Sequence, residues 1–310
     1  MTDLRWTAPA EGGLFELGRL VAGRGEYRGL NFHEVEAKTI LNRVPGNGLP
    51  FNWTINPYRG CSHACVYCFA RPTHEFLGLN TGTDFDSEIV VKTNAVELAR
   101  AETAPGRWAG ELIAMGTNTD PYQPAEGKYR LTRGLVQVLV ERRNPFSLLT
   151  KSTLSLRDID LFADAARQFD ISVNFSIGTL DPEVWRLTEP GTPHPQRRVE
   201  AVAKLTAAGV PSGVLIAPLL PGISDHPDQV AAVRRACQEA GAVSASTIKL
   251  HLRPGVREHF MGWLGTNRPD LTERYEKLYR GRAYLTRRRS PRPPTPKPTP
   301  ASTQPMLPFG

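Results

Sequence analysis

Three cysteines fall within eight residues, in the run Asn56-Pro57-Tyr58-Arg59-Gly60-Cys61-Ser62-His63-Ala64-Cys65-Val66-Tyr67-Cys68-Phe69. The spacing is C-x-x-x-C-x-x-C, with an aromatic residue just before the last cysteine. Three thiolates on one short loop suit three irons of a cubane iron–sulfur cluster and leave the fourth iron without a protein ligand. An open iron of that kind binds a substrate or a cofactor.

Two other uses of these thiols have to be weighed. A zinc site usually takes a fourth Cys or His; the chain's one remaining cysteine, Cys237, is far away in sequence, although His63 within the loop would complete such a set. A disulfide would strand the third cysteine and call for an export signal, whereas Met1 to Leu20 shows no basic start followed by an apolar core. No apolar run reaches the roughly 18 residues that span a bilayer. A cytoplasmic protein with no membrane association is therefore expected, in a reducing compartment that keeps the thiols free.

Beyond the cysteine loop, β-rich apolar runs alternate with helical patterns, the sequence mark of βα units around a parallel sheet. Strands are expected at Asn52 to Asn56, Glu111 to Gly116, Phe146 to Thr150, Ile171 to Gly178, Gly213 to Ala217 and Thr247 to Leu252. Helices are expected near Arg71 to Leu77, Leu131 to Arg142, Leu156 to Phe169, Pro195 to Ala208, Pro227 to Ala240 and Gly255 to Leu264. Ser155 and Asp225 read as N-terminal caps, and Gly209 and Gly241 as C-terminal stops. Leu79 to Arg107 reads as an insertion with a short strand, Ile89 to Lys92, and a helix, Ala95 to Glu102. Six units predict an α/β fold, an incomplete (β/α)6 barrel over residues 48–279. An N-terminal extension, 1–47, precedes it, and a disordered basic, proline-rich tail, 280–310, follows.

The loop, with Gly116-Thr117-Asn118-Thr119-Asp120-Pro121-Tyr122, Thr150-Lys151-Ser152, Phe175-Ser176-Ile177 and Leu219-Leu220-Pro221-Gly222-Ile223, resembles the radical S-adenosylmethionine enzymes. Within them it looks most like the spore photoproduct lyase-like, or "DNA repair photolyase", branch. The resemblance spans roughly Asn52 to Leu252. It implies a [4Fe–4S] cluster on Cys61, Cys65 and Cys68, S-adenosylmethionine as the second cofactor, and reductive cleavage to a 5′-deoxyadenosyl radical that abstracts hydrogen from substrate. It also implies a flavodoxin or ferredoxin as electron donor.

Parallel barrels carry their sites at the carboxyl ends of the strands. By the same resemblance, Thr117, Asn118, Lys151 and Ser176 are the expected S-adenosylmethionine site. Asp120 reads as a ribose contact, and Arg59 with the loop backbone as groups that tune the cluster, whose potential depends on hydrogen bonds to its sulfurs and on exposure. Lys151 and Ser176 read alternatively as solvated strand ends, and Asp120-Pro121 as a plain turn. Leu215 and Ile216 either flank adenine or pack in the core. Tyr67 and Tyr122 are the candidate catalytic radical relays, core packing being the alternative. Spore photoproduct lyases return hydrogen through a cysteine near the end of the second strand. Here that stretch reads Met115-Gly116-Thr117-Asn118, without a thiol, and Cys237 lies in an expected helix as a packed side chain.

The formal net charge of +7 belongs to the tail. Arg280, Arg282, Arg287, Arg288, Arg289, Arg292 and Lys297 meet no acid from residue 280 onward, and the rest of the chain balances 31 basic residues against 31 acidic ones (38 less 7, against 31). Arg287, Arg288 and Arg289 read as a DNA phosphate contact or as a solubilising run. Gln304-Pro305-Met306-Leu307-Pro308-Phe309 resembles the Q-x-x-L-x-F peptide that binds the bacterial DNA sliding clamp, with Gln304, Leu307 and Phe309 as its anchors. Three functions follow: a radical enzyme, lyase-like, acting on DNA or another nucleic acid; the same chemistry on a small molecule or peptide; or a non-catalytic iron–sulfur accessory protein tethered to DNA.

Overall fold

Short apolar runs bounded by turn residues become strands of two sheets, in a computed structural model that describes residues 18–44 and 49–285. The strands are β1 (Arg19–Ala22), β2 (Asn31–Val35), β3 (Leu41–Arg43), β4 (Trp53–Ile55), β5 (Tyr58–Arg59), β6 (Glu88–Lys92), β7 (Ile113–Met115), β8 (Phe146–Thr150), β9 (Ile171–Ser176), β10 (Gly213–Leu219) and β11 (Ser244–Lys249). The larger sheet runs β11-β10-β9-β8-β7-β4-β3. Its neighbours from β4 to β11 are parallel, and β3 lies antiparallel on β4.

Parallel strands need crossover connections, and helices supply them. Leu131–Glu141, Ile159–Ala166, Pro195–Ala207 and Pro227–Glu239 follow β7, β8, β9 and β10 in turn. Their apolar faces meet the sheet in one core that includes Leu135, Leu139, Phe146, Phe162, Val173, Phe175, Val202 and Ile216, all fully buried. Each such side chain contributes about 1.5–3 kcal/mol through burial. β3 and β11 are the two ends of the strand order, so the barrel stays open along one side. This is the expected α/β architecture with six parallel strands.

The smaller sheet, β1-β2-β6-β5, draws two strands from residues 19–35 and one from each side of the cysteine loop, β5 just before it and β6 after it. β2 pairs parallel with β6 over five residue pairs, from Asn31 with Glu88 to Val35 with Lys92. The expected strand and helix of the 79–107 segment are present, as β6 and the helix Ala95–Glu102.

Several local expectations shift. β11 begins at Ser244 and ends at Lys249, because Leu252 leaves the sheet direction and donates its N–H to Ala283. Ser155 is not a cap: its hydroxyl donates to the Ser152 carbonyl, and Ser152 caps the 3-10 helix Thr153–Asp158 through Leu154 N–H. Asp225 accepts from Gly222 N–H, while His226 caps Pro227–Glu239. Gly209 and Gly241, at φ +79° and +83°, do end their helices in the left-handed region that favours glycine.

Candidate functional site

The cysteine loop leaves β5 and is gripped from several directions. Cys61 N–H donates to Phe85 O at 2.9 Å, Thr119 Oγ1 and Gln123 Nε2 both donate to Gly60 O, and Ser62 N–H donates to Gln123 Oε1. Arg71, fully buried, places Nε and Nη2 on the Cys65 carbonyl at 3.2 and 3.0 Å and also reaches Thr81 O, Gly82 O and Asp86. On the opposite flank, Val66 N–H donates to Thr188 O and Gly191 N–H to His63 O. A Cβ on Gly191 would stand 2.2 Å from Ser62 O, so this approach requires glycine.

All four cysteines are free thiols. Burial pushes the Cys61 thiol well up; Asp120 and the Cys65 and Cys68 sulfurs push the same way, so the three thiols of the loop feel one another. Burial raises Cys65 and Cys68 as well. Thiols held this way ionise when a metal takes the proton's place. Among the described residues no three His, Cys, Asp or Glu side chains gather to share a single metal ion. His63, the candidate fourth zinc ligand, turns its Nδ1 to Asp120 at 3.3 Å. Cys61, Cys65 and Cys68 are three soft donors on one loop, a set that suits three irons of an iron–sulfur cluster.

The strand ends converge beside this loop. Gly116 follows β7 at φ +88°, where a Cβ would stand 2.0 Å from Leu149 O, and so lets the chain turn into Thr117 and Asn118. Asn56, at the end of β4, fixes that turn by donating to Thr117 Oγ1 and accepting from Asn118 N–H. Lys151 follows β8 and Ser176 ends β9; Lys151 Nζ donates to Ser176 Oγ and lies 5.7 Å from the centre of the Tyr67 ring. The Tyr67 hydroxyl donates to Glu189. Glu189 in turn pairs with Arg198 at 2.5 Å and approaches Lys151 Nζ at 3.8 Å. Burial alone would raise its carboxyl, but the Arg198 and Lys151 cations and the Tyr67 hydroxyl hold it down at about 2.

Asp120 stands within this group but is spoken for. It accepts from Thr150 Oγ1, Lys151 N–H and Tyr122 N–H and faces His63. Burial would raise its carboxyl, yet His63, Thr150 and the Lys151 N–H hold it below the usual range. These contacts make it a hub that ties the ends of β7 and β8 to the cysteine loop.

Tyr122 points elsewhere: fully buried, it donates to Asp158 Oδ2 at 2.8 Å and packs edge-on against Phe162. Ile216 is core, Leu215 is half-buried, and Arg59 is buried immediately before the loop. Cys237 is fully buried in the helix Pro227–Glu239. Arg287, Arg288, Arg289, Gln304, Leu307 and Phe309 lie outside the described residues. Sequence reasoning gave no role to Glu189, Arg198 and Arg71, which carry no spacing signal; Asn56 opened the quoted cysteine-loop run without a role, and Gln123 directly followed the Gly116–Tyr122 stretch.

Phe69 follows the last cysteine and is 46% exposed. The Arg253 guanidinium sits 5.8 Å from the Phe69 ring centre and donates to Phe69 O. Two residues back, His251 meets exposed Tyr284 edge-to-face at 4.5 Å. Leu252 between them is buried, so the extended chain turns His251 and Arg253 to the same outer side.

The family model of the radical SAM superfamily matches residues 55–233. An uncharacterized protein of Mycobacterium tuberculosis (strain ATCC 25618 / H37Rv) is 46% identical over 275 residues, 88% of this chain and 81% of its own. A radical SAM Nalpha-GlyT isomerase of Pseudomonas phage M6 is 26% identical over 173 residues, 56% of this chain and 34% of its own. Among solved structures, a spore photoproduct lyase mutant with bound AdoMet and dinucleoside spore photoproduct has the same fold, with a TM-score of 0.54 at 17% identity over 82% of each chain.

Proposed function

The chain belongs to the radical SAM superfamily, and from that membership we propose that it is an enzyme that takes a hydrogen atom from a base of a nucleic acid. Cys61, Cys65 and Cys68 would hold a [4Fe–4S] cluster, and Thr117, Asn118, Lys151 and Ser176 would receive S-adenosylmethionine. Together the cluster and S-adenosylmethionine supply one-electron cleavage of a sulfonium carbon–sulfur bond and, from it, the radical that abstracts hydrogen. The protein's share is orientation and dryness. Lys151, a cation at the end of β8, suits a carboxylate. The Thr117 and Asn118 turn, fixed by Asn56, offers short polar groups to an amino group. Tyr67, clamped through its hydroxyl to Glu189, keeps one wall of the site in place.

The observation that carries the substrate class is the exposed pairing of Phe69 with Arg253 and of Tyr284 with His251, beside the last cysteine of the loop. Two exposed aromatic faces, Phe69 and Tyr284, with the Arg253 cation over the first, suit stacked bases and a phosphate, while burial and Arg253 hold the His251 ring below its ordinary pKa so that it adds no charge. The name of one similar protein points the same way, since it was solved with a dinucleoside spore photoproduct. The hydrogen return differs from a cysteine-based one: β7 ends in buried Met115, and Cys237 is sealed in the core.

The test is anaerobic reconstitution with iron and sulfide, reduction by dithionite with S-adenosylmethionine, and chromatography for 5′-deoxyadenosine. A variant with Cys61, Cys65 and Cys68 all replaced by Ala is the control. Product from the wild type alone, raised by single-stranded or base-modified DNA, is the expected result. A reducible cluster that never cleaves S-adenosylmethionine, with or without DNA, would favour the non-catalytic accessory reading.

A further inference from the structure

Three charged side chains meet behind the cysteine loop with little water between them. Arg198 is fully buried, the Glu189 side chain is 5% exposed and that of Lys151 14%. Two cations against one anion leave a single positive charge. The group lies against Cys65: Tyr67, two residues on, is bound to Glu189, and Val66 N–H is bound to Thr188 O. The Cys65 sulfur feels all three, with Lys151 and Arg198 favouring its thiolate and Glu189 opposing it.

Arg198 has structural partners besides Glu189. It donates to Ser176 O, Pro193 O and Thr192 Oγ1. These contacts anchor the helix Pro195–Ala207 to the end of β9 and would be met as well by a protein with no cluster. Glu189 supplies the counter-charge that buried Arg198 needs, and because the pair is bound to the segment that carries Cys65, each member also sets the charge felt there.

Resting on the cluster reading above, we infer that Glu189 and Arg198 are positioning residues of opposite sign for the cluster's reduction potential. Glu189 holds it down, and Arg198 raises it. Reduction adds negative charge to a cluster, so a neighbouring cation stabilises the reduced form and a neighbouring anion destabilises it. Weak screening in a buried site lets one unit of charge be felt.

The experiment is a potentiometric titration, followed by electron paramagnetic resonance, of the full-length reconstituted chain without S-adenosylmethionine. Glu189→Gln keeps an acceptor for the Tyr67 hydroxyl and leaves a net charge of two, so the midpoint moves positive. Arg198→Met leaves zero, so the midpoint moves negative. The double variant restores one and returns toward wild type. Lys151→Met also leaves zero, keeps the Glu189–Arg198 pair intact, and gives a negative shift even where a single variant above loses its cluster. Loosened packing would move both single variants in one direction and would not be cancelled in the double. Midpoints that stay put, or shift with the same sign, overturn the inference alone. A wild type with no reducible cluster overturns the cluster reading and this inference with it.

Discussion

The guanidinium of Arg71 straddles the carbonyl oxygen of Cys65, with two nitrogens at 3.2 and 3.0 Å, from a side chain with no exposure to water. The same group reaches Thr81 O, Gly82 O and both oxygens of Asp86, so one buried cation fastens the middle of the cysteine loop to the segment that follows it.

Removing that cation should therefore cost both stability and metal. Arg71→Met would take the guanidinium donor from the Cys65, Thr81 and Gly82 carbonyls, the first of which keeps only Cys68 N–H, and would leave Asp86 without its partner. A loss of about 3–5 kcal/mol is expected, the range for breaking a buried ion pair from one side. Urea unfolding of the metal-free protein reads the stability, and the iron content after reconstitution reads the loop. Full iron loading with unchanged stability would show that Arg71 does not hold the loop.

The site was partly legible before any fold was known. Lys151 and Ser176 stand together because each ends its strand, a placement the alternating pattern implies, and Tyr67 joins them from within the cysteine motif. Glu189 was not legible. Its bond to Tyr67 spans 122 positions, and a lone acid just past a helix end carries no periodicity. Tyr122 shows the converse: its place after Asp120-Pro121 suggested the site, but its ring is drawn into the core by Phe162 and its hydroxyl by Asp158. The strands of residues 19–43 were unreadable for a similar reason, since β2 finds its partner in β6, more than fifty residues on.

Lys92 gives the fold a dependence on pH. Burial, helped by repulsion from Arg59 and opposed by Glu102, lowers its ammonium from 10.5 to about 7. Between those values the unfolded chain binds a proton that the folded chain does not, so this contribution to stability rises with pH from about 7 toward 10.5. Below about 7 both states are protonated, and the full cost of the buried charge remains. Each unit of depression is worth about 1.4 kcal/mol. Lys92→Met should be more stable than wild type at pH 7 and should lose part of the upward slope between pH 7 and 9, read by denaturant midpoints across that window. Parallel slopes in the two proteins would refute the assignment.

Phe69 and Arg253 offer the sharpest check on the substrate class, because their two contributions separate by salt. If the ring stacks a base, Phe69→Ala weakens binding of a short single-stranded oligonucleotide by about 1–3 kcal/mol at every salt concentration, the usual worth of one stacked base. Arg253→Gln, which keeps much of the side chain's length, should act on the phosphate instead. The slope of log affinity against log salt should then fall by about one charge. Fluorescence anisotropy of a labelled oligonucleotide, from low to physiological salt, measures both. Leu20, 59% exposed on β1 in the other sheet, supplies a control in Leu20→Ala that should change neither quantity. Equal affinities for Phe69→Ala and wild type, with the salt slope of Arg253→Gln unaltered, would move the substrate from nucleic acids to small molecules or peptides.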